Sequence, residues 1–100
     1  MTSEKPNILL IQADQLKPQV LKSYGGIADT PHLDNLADEG VVFENAYCNF
    51  PLCAPSRFSM LAGMLPSRIG AYDNGAEYLA QIPTMAHYLR LAGYHTCLSG

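Results

Sequence analysis

The sequence predicts an α/β fold in which a mostly parallel central sheet is flanked by helices, and three observations carry that prediction. Asn7-Ile8-Leu9-Leu10-Ile11 is continuously apolar rather than alternating, the pattern of a strand covered on both faces. Strand-like runs then alternate with helical patterns along the chain, as in an α/β sandwich. Finally, apolar residues make up 48% of the 100 residues and charged ones 15%, so a core can be buried.

The elements follow in order. Asn7–Ile11 is the first strand. Lys17-Pro18 and Gly25-Gly26 punctuate a loop after it. Thr30-Pro31 reads as an N-cap with proline in the first helical position, Leu33, Leu36 and Ala37 form a short apolar stripe, and Gly40 falls just past the helix end. Val41-Val42-Phe43 opens a second strand-like run that continues to Tyr47. Pro51 and Pro55 bracket a loop containing Cys53, beyond which Phe58, Met60, Leu61 and Met64 suit a helix. Residues 66–83 hold Pro66, Gly70, Gly75 and Pro83 and read mostly as loop. Thr84 caps a last helix with Met85, Tyr88, Leu89 and Ala92 on one face and Gly93 as its stop. Tyr94–Leu98 is a third strand. No repeat, low-complexity stretch or linker divides the chain. A strand just completed at Ser99-Gly100, with no helix to cover it, leads to the expectation that residues 1–100 are the N-terminal part of a single longer catalytic domain.

Composition excludes several function classes. Six basic against nine acidic residues give a net charge of −3, whereas nucleic-acid binding needs clustered positive charge. No apolar run approaches the ~20 residues that span a bilayer, and the apolar segment after Lys5-Pro6 is too short for a secretory signal. Neither a nucleic-acid nor a membrane partner is expected. Cys48, Cys53 and Cys97 cannot all pair internally, and their spacing matches no zinc signature. A reducing, cytoplasmic location is the expectation that follows.

Two places in the chain can carry chemistry. Asp14 stands just beyond the first strand, and ligands of open α/β sheets bind beyond the carboxyl ends of strands. It is a candidate metal ligand or acid–base group, with a solvated loop aspartate as the plain alternative. One carboxylate is an incomplete site for a hard cation, which takes six or more oxygen ligands. The second place is Cys53-Ala54-Pro55-Ser56-Arg57. Cys53 would lie near a helix N-terminus, where backbone N–H groups attract anions. Arg57, one turn on, offers a permanent cation with a fork of donors suited to tetrahedral oxyanions. A small buried cysteine beside a surface arginine is the alternative. Cys48 and Cys97 are expected to be ordinary buried thiols, and His32, His87 and His95 structural or surface residues.

The run Cys53-Ala54-Pro55-Ser56-Arg57-Phe58-Ser59-Met60-Leu61-Ala62-Gly63 resembles the type I sulfatase signature C-x-P-S-R-x-x-x-L-T-G, departing from it only at Ala62. The early strand ending in Asp14, Thr30-Pro31-His32-Leu33-Asp34 and Gly40-Val41-Val42-Phe43 followed by Ala46-Tyr47 are similar to sulfatase sequence in the same order. Asn45-Ala46-Tyr47-Cys48, Pro51-Leu52-Cys53 and Pro66-Ser67-Arg68-Ile69-Gly70-Ala71-Tyr72-Asp73-Asn74 most resemble the bacterial choline-sulfatases within that family. Asp14-Gln15 replaces the two adjacent aspartates of many sulfatases, a form shared with choline-sulfatases and phosphonate monoester hydrolases.

The resemblance implies an alkaline-phosphatase-like sandwich and hydrolysis of a sulfate ester, choline-O-sulfate first among them. A phosphonate monoester or phosphodiester hydrolase is the alternative within the superfamily, and a non-catalytic anion-binding module the alternative outside it. It implies that Cys53 is oxidised to formylglycine (3-oxoalanine) by a formylglycine-generating enzyme that reads Cys53, Pro55 and Arg57. It implies Asp14, Gln15 and the modified Cys53 at a divalent metal, Ca²⁺ with Mg²⁺ or Mn²⁺ as alternatives. Arg57 is then the cation that holds the hydrated nucleophile, and Asn74 a residue of the anion site. The implied reaction is attack of the hydrated aldehyde on sulfur, loss of the alcohol, and collapse back to the aldehyde with expulsion of sulfate. A Lys-x-His element directly after Gly100, further metal ligands beyond it, and a homo-oligomer are also implied.

Overall fold

The computed structural model describes residues 5–100, which fall into two compact units, one ending at Asn45 and the other spanning Ala46–Gly100.

In the N-terminal unit, Asp14 and Gln15 form a turn in which Gln15 takes a positive φ of 53°. Two 3-10 turns follow, Pro18–Val20 and Lys22–Tyr24. They are closed by Leu21 N–H donating to the Pro18 carbonyl and Gly25 N–H to that of Lys22, both at 2.9 Å. The chain then doubles back, with Gly26 N–H on the Leu21 carbonyl at 2.8 Å and Ala28 N–H on that of Val20 at 2.9 Å. Helix α1, Pro31–Glu39, starts at the expected proline and stops at Gly40. Thr30 is its N-cap, but the Thr30 hydroxyl donates to Asp34 Oδ1 at 3.3 Å rather than capping a backbone N–H. The helix packs on the second 3-10 turn, and Tyr24 OH donates to the Phe43 carbonyl at 2.8 Å.

The C-terminal unit is built on three helices. Helix α2 spans Cys53–Ala62 and ends at Gly63, whose left-handed backbone (φ 65°) lets its N–H reach the Ser59 carbonyl at 2.9 Å. Helix α3, Pro66–Ile69, is a single turn inside the segment expected to be loop. Its proline starts it, and the Gly70 and Ala71 N–H groups both close on the Pro66 carbonyl. Helix α4, Met85–Leu91, begins at Thr84 as expected, where His87 Nδ1 accepts the Thr84 backbone N–H at 3.1 Å. Gly93 follows with φ 85°. Helix α2 packs against α3 and α4. The buried residues are Pro55 and Ser59 on α2, Pro66 and Ile69 on α3, and Ala71 just after it. Phe58 and Tyr78 meet edge to face beside them, with centroids 5.1 Å apart.

The expected sheet does not form among the described residues. The runs at 7–11, 41–47 and 94–98 carry no ladder, and the single pairing is an isolated parallel bridge between Leu21 and Ala28. Ile8, Leu9, Leu10 and Ile11 are all exposed, as are Val41, Phe43 and Leu98. A strand needs a neighbouring strand for its backbone groups, and among the described residues these runs have none. The thiols also differ from expectation. Cys48 and Cys97 are exposed rather than buried, because their segments lie outside the α2–α3–α4 packing, and their sulfurs donate to local carbonyls of Phe50 and Leu98.

Candidate active site

Cys53 is not held in a loop but is the first residue of α2, with Leu52 as N-cap in extended conformation. A proline at position 55 is compatible with this start, since the first-turn N–H groups have no intrahelical acceptor and proline forfeits nothing there. Pro55 is fully buried and wedges that turn against the core, while Cys53 itself is exposed. Arg57, also exposed, lies four residues on, which places it on the same side of the helix as Cys53. Ser56 donates its N–H to the Leu52 carbonyl at 3.1 Å, the first hydrogen bond of the helix.

Asn74 arrives from the loop after α3. Its Oδ1 accepts the Ala54 N–H at 3.1 Å, so the residue sits against the turn that carries Cys53. Behind that turn, Asn49 Nδ2 donates to Ser59 Oγ at 2.9 Å, and Ser59 is only 2% exposed. The sequence carries no signal for Asn49, because its partner Ser59 is ten residues away and meets it only through tertiary packing. Asp73 is engaged locally, accepting the Gly75 N–H at 2.8 Å.

Cys53, Pro55, Arg57 and Asn74 therefore share one unit, around the first turn of α2. Asp14 and Gln15 belong to the N-terminal unit. Their donors are a carboxylate and an amide oxygen, a set suited to a hard divalent cation and not to a thiophilic one. No group of three or more His, Cys, Asp or Glu capable of holding a metal occurs among the described residues, and two oxygen donors alone would fill only part of a coordination sphere. No helix among the described residues is long and apolar enough to cross a membrane.

A thiol at the start of a helix, a guanidinium one turn further and a carboxamide against the same turn are groups that could together receive a tetrahedral oxyanion. Residues 6–100 match the Sulfatase family profile. The chain is 52% identical over its full length to the choline-sulfatase of Rhizobium meliloti. It is 42% identical over 98% of its length to an N-acetylgalactosamine-6-O-sulfatase of Bacteroides thetaiotaomicron, and 42% over 95% to arylsulfatase A of Bos taurus. The chain belongs to the sulfatase family. It spans 20% of the length of each of these three relatives. No solved structure matches it.

Proposed function

We propose that the protein hydrolyses sulfate esters, with choline-O-sulfate as substrate, and that residues 1–100 are part of an alkaline-phosphatase-like α/β catalytic domain. The observation that carries the reading is Cys-x-Pro-Ser-Arg placed on the first turn of α2, in a chain 52% identical to a choline-sulfatase. Cys53 is the position oxidised to formylglycine by a formylglycine-generating enzyme, with Pro55 and Arg57 as the rest of that enzyme's motif. Asp14 and Gln15 would supply oxygen ligands to a divalent cation, calcium in this reading. When present, the hydrated aldehyde and the cation supply the nucleophile and the charge that lowers its pKa.

The chain's own residues do the remainder. Arg57 binds non-bridging oxygens with its fork of donors, and Asn74 lines the turn that carries residue 53. The runs at 7–11, 41–47 and 94–98 become sheet strands once neighbouring chain covers them. A cytoplasmic location and a homo-oligomeric assembly complete the proposal.

The test is turnover of choline-O-sulfate by full-length protein co-produced with a formylglycine-generating enzyme, beside a phosphonate monoester. Peptide mass spectrometry should show residue 53 as the aldehyde in active enzyme, and Cys53→Ser and Cys53→Ala should lose most turnover. Asp14→Asn should lower bound metal and turnover together. Unmodified thiol in fully active enzyme, or faster phosphonate than sulfate hydrolysis, rejects the reading.

A further inference from the structure

Helix α2 begins without a cap of its own. Leu52 at the N-cap has φ −132° and ψ 151°, and its side chain caps no backbone N–H. Leucine has no oxygen to offer and ranks among the poorest N-caps. The first turn must therefore place its donors elsewhere. Pro55 removes one, and the Ala54 N–H is taken from outside the helix by Asn74 Oδ1 at 3.1 Å, across twenty residues of sequence.

The loop that delivers Asn74 is held on both sides. Upstream, Ala71 is 1% exposed and its N–H closes on the Pro66 carbonyl at 3.0 Å, fastening the loop to α3. Downstream, the Gly75 N–H donates to Asp73 Oδ1 at 2.8 Å and the Ala76 N–H to the Asp73 carbonyl at 3.3 Å. Asn74 thus meets α2 from a turn already built.

We propose that Asn74 is a positioning residue: its Oδ1 serves as the N-cap that Leu52 cannot provide, and by holding the Ala54 N–H it sets the direction of the residue-53 side chain. The inference rests on residue 53 being the nucleophilic position. The Ala54 N–H lies in the peptide plane that joins residues 53 and 54. Anchoring it restrains ψ of residue 53 and, with it, the direction of the Cα–Cβ bond relative to the core. Because an N–H can only be accepted by the amide oxygen, the same bond assigns the carboxamide orientation and leaves Nδ2 on the branch away from the helix.

Two substitutions in the full-length enzyme test this. Asn74→Ala removes the acceptor. Asn74→Asp keeps an oxygen in place and adds a charge favourable at a helix N-terminus. Hydrogen exchange of the Ala54 amide should quicken in Asn74→Ala and stay slow in Asn74→Asp. A misplacement of about 1 Å can cost ~100-fold in rate, so kcat should fall by at least ~10-fold in Asn74→Ala. The loss in Asn74→Ala should fall on kcat and not on KM, because the direction of residue 53 acts on the chemical step. Unchanged Ala54 exchange in Asn74→Ala overturns the cap. Faster exchange with unaltered kcat, or a loss confined to KM, overturns the positioning role. Unmodified Cys53 with no turnover in the wild-type enzyme is the separate signature of a failed sulfatase reading, and the exchange measurement still decides the cap.

Discussion

The hydrogen bond between Asn49 and Ser59 makes an asymmetric prediction about stability. Ser59 Oγ is buried on the inner face of α2, whereas Asn49, which donates to it at 2.9 Å, is exposed. Asn49→Ala leaves a buried hydroxyl without this partner, and such a group costs ~1–3 kcal/mol. Ser59→Ala leaves only an exposed carboxamide that water can satisfy, so the loss is the net worth of one hydrogen bond, ~0.5–1.5 kcal/mol. The donor variant should therefore be the less stable by about 1 kcal/mol, although it removes the surface residue. Combining the two should cost less than their sum, because the second substitution removes the group that the first orphaned. Urea titration of full-length protein, comparing midpoints at constant slope, reads all three differences. A Ser59→Ala variant as destabilised as Asn49→Ala, or strict additivity, would refute the reasoning.

Three further predictions come from other parts of the chain. Arg57→Lys keeps the charge but loses the fork, and with hydrogen bonds to charged groups worth ~1.5–3 kcal/mol, kcat/KM should fall ~10–100-fold. Steady-state kinetics on a sulfate ester checks it, and near-normal activity rejects a forked contact. The Tyr78 hydroxyl is buried with no hydrogen-bond partner among the described residues, so Tyr78→Phe should stabilise the protein by about 1 kcal/mol. Burial, and secondarily Tyr88, push the Tyr78 phenol above 10.0. The folded state thus favours the neutral form, a contribution complete below pH 10.0 and lost as pH rises further. The wild type should lose more stability than Tyr78→Phe on that alkaline side, measured by thermal unfolding, and parallel curves reject the assignment. Gly26→Ala would set a Cβ into the Val20 backbone carbonyl, and overpacking of this kind costs ~1–3 kcal/mol. An unchanged melting temperature in that variant would show that the turn yields freely.

What the sequence by itself determined was local. Proline at 31 and glycine at 40 bounded α1, and Thr84 and Gly93 bounded α4, because start and stop signals act through the backbone of the residues that carry them. Cys-x-Pro-Ser-Arg was legible through its resemblance to the type I sulfatase signature, and its four-residue spacing brings Cys53 and Arg57 to one side of the helix. The strand-like runs were legible as apolar segments but not as strands, because a strand exists through a neighbour that its own residues do not encode. The start of α2 at Cys53, in place of a loop, was decided by burial of Pro55 and Ser59 against α3 and α4. Asn74 was visible as a site residue, but its bond to Ala54 N–H was not, and Asn49 gave no signal at all. Both contacts join residues ten or more positions apart, and only the packing of helices and loops brings such groups within hydrogen-bond reach.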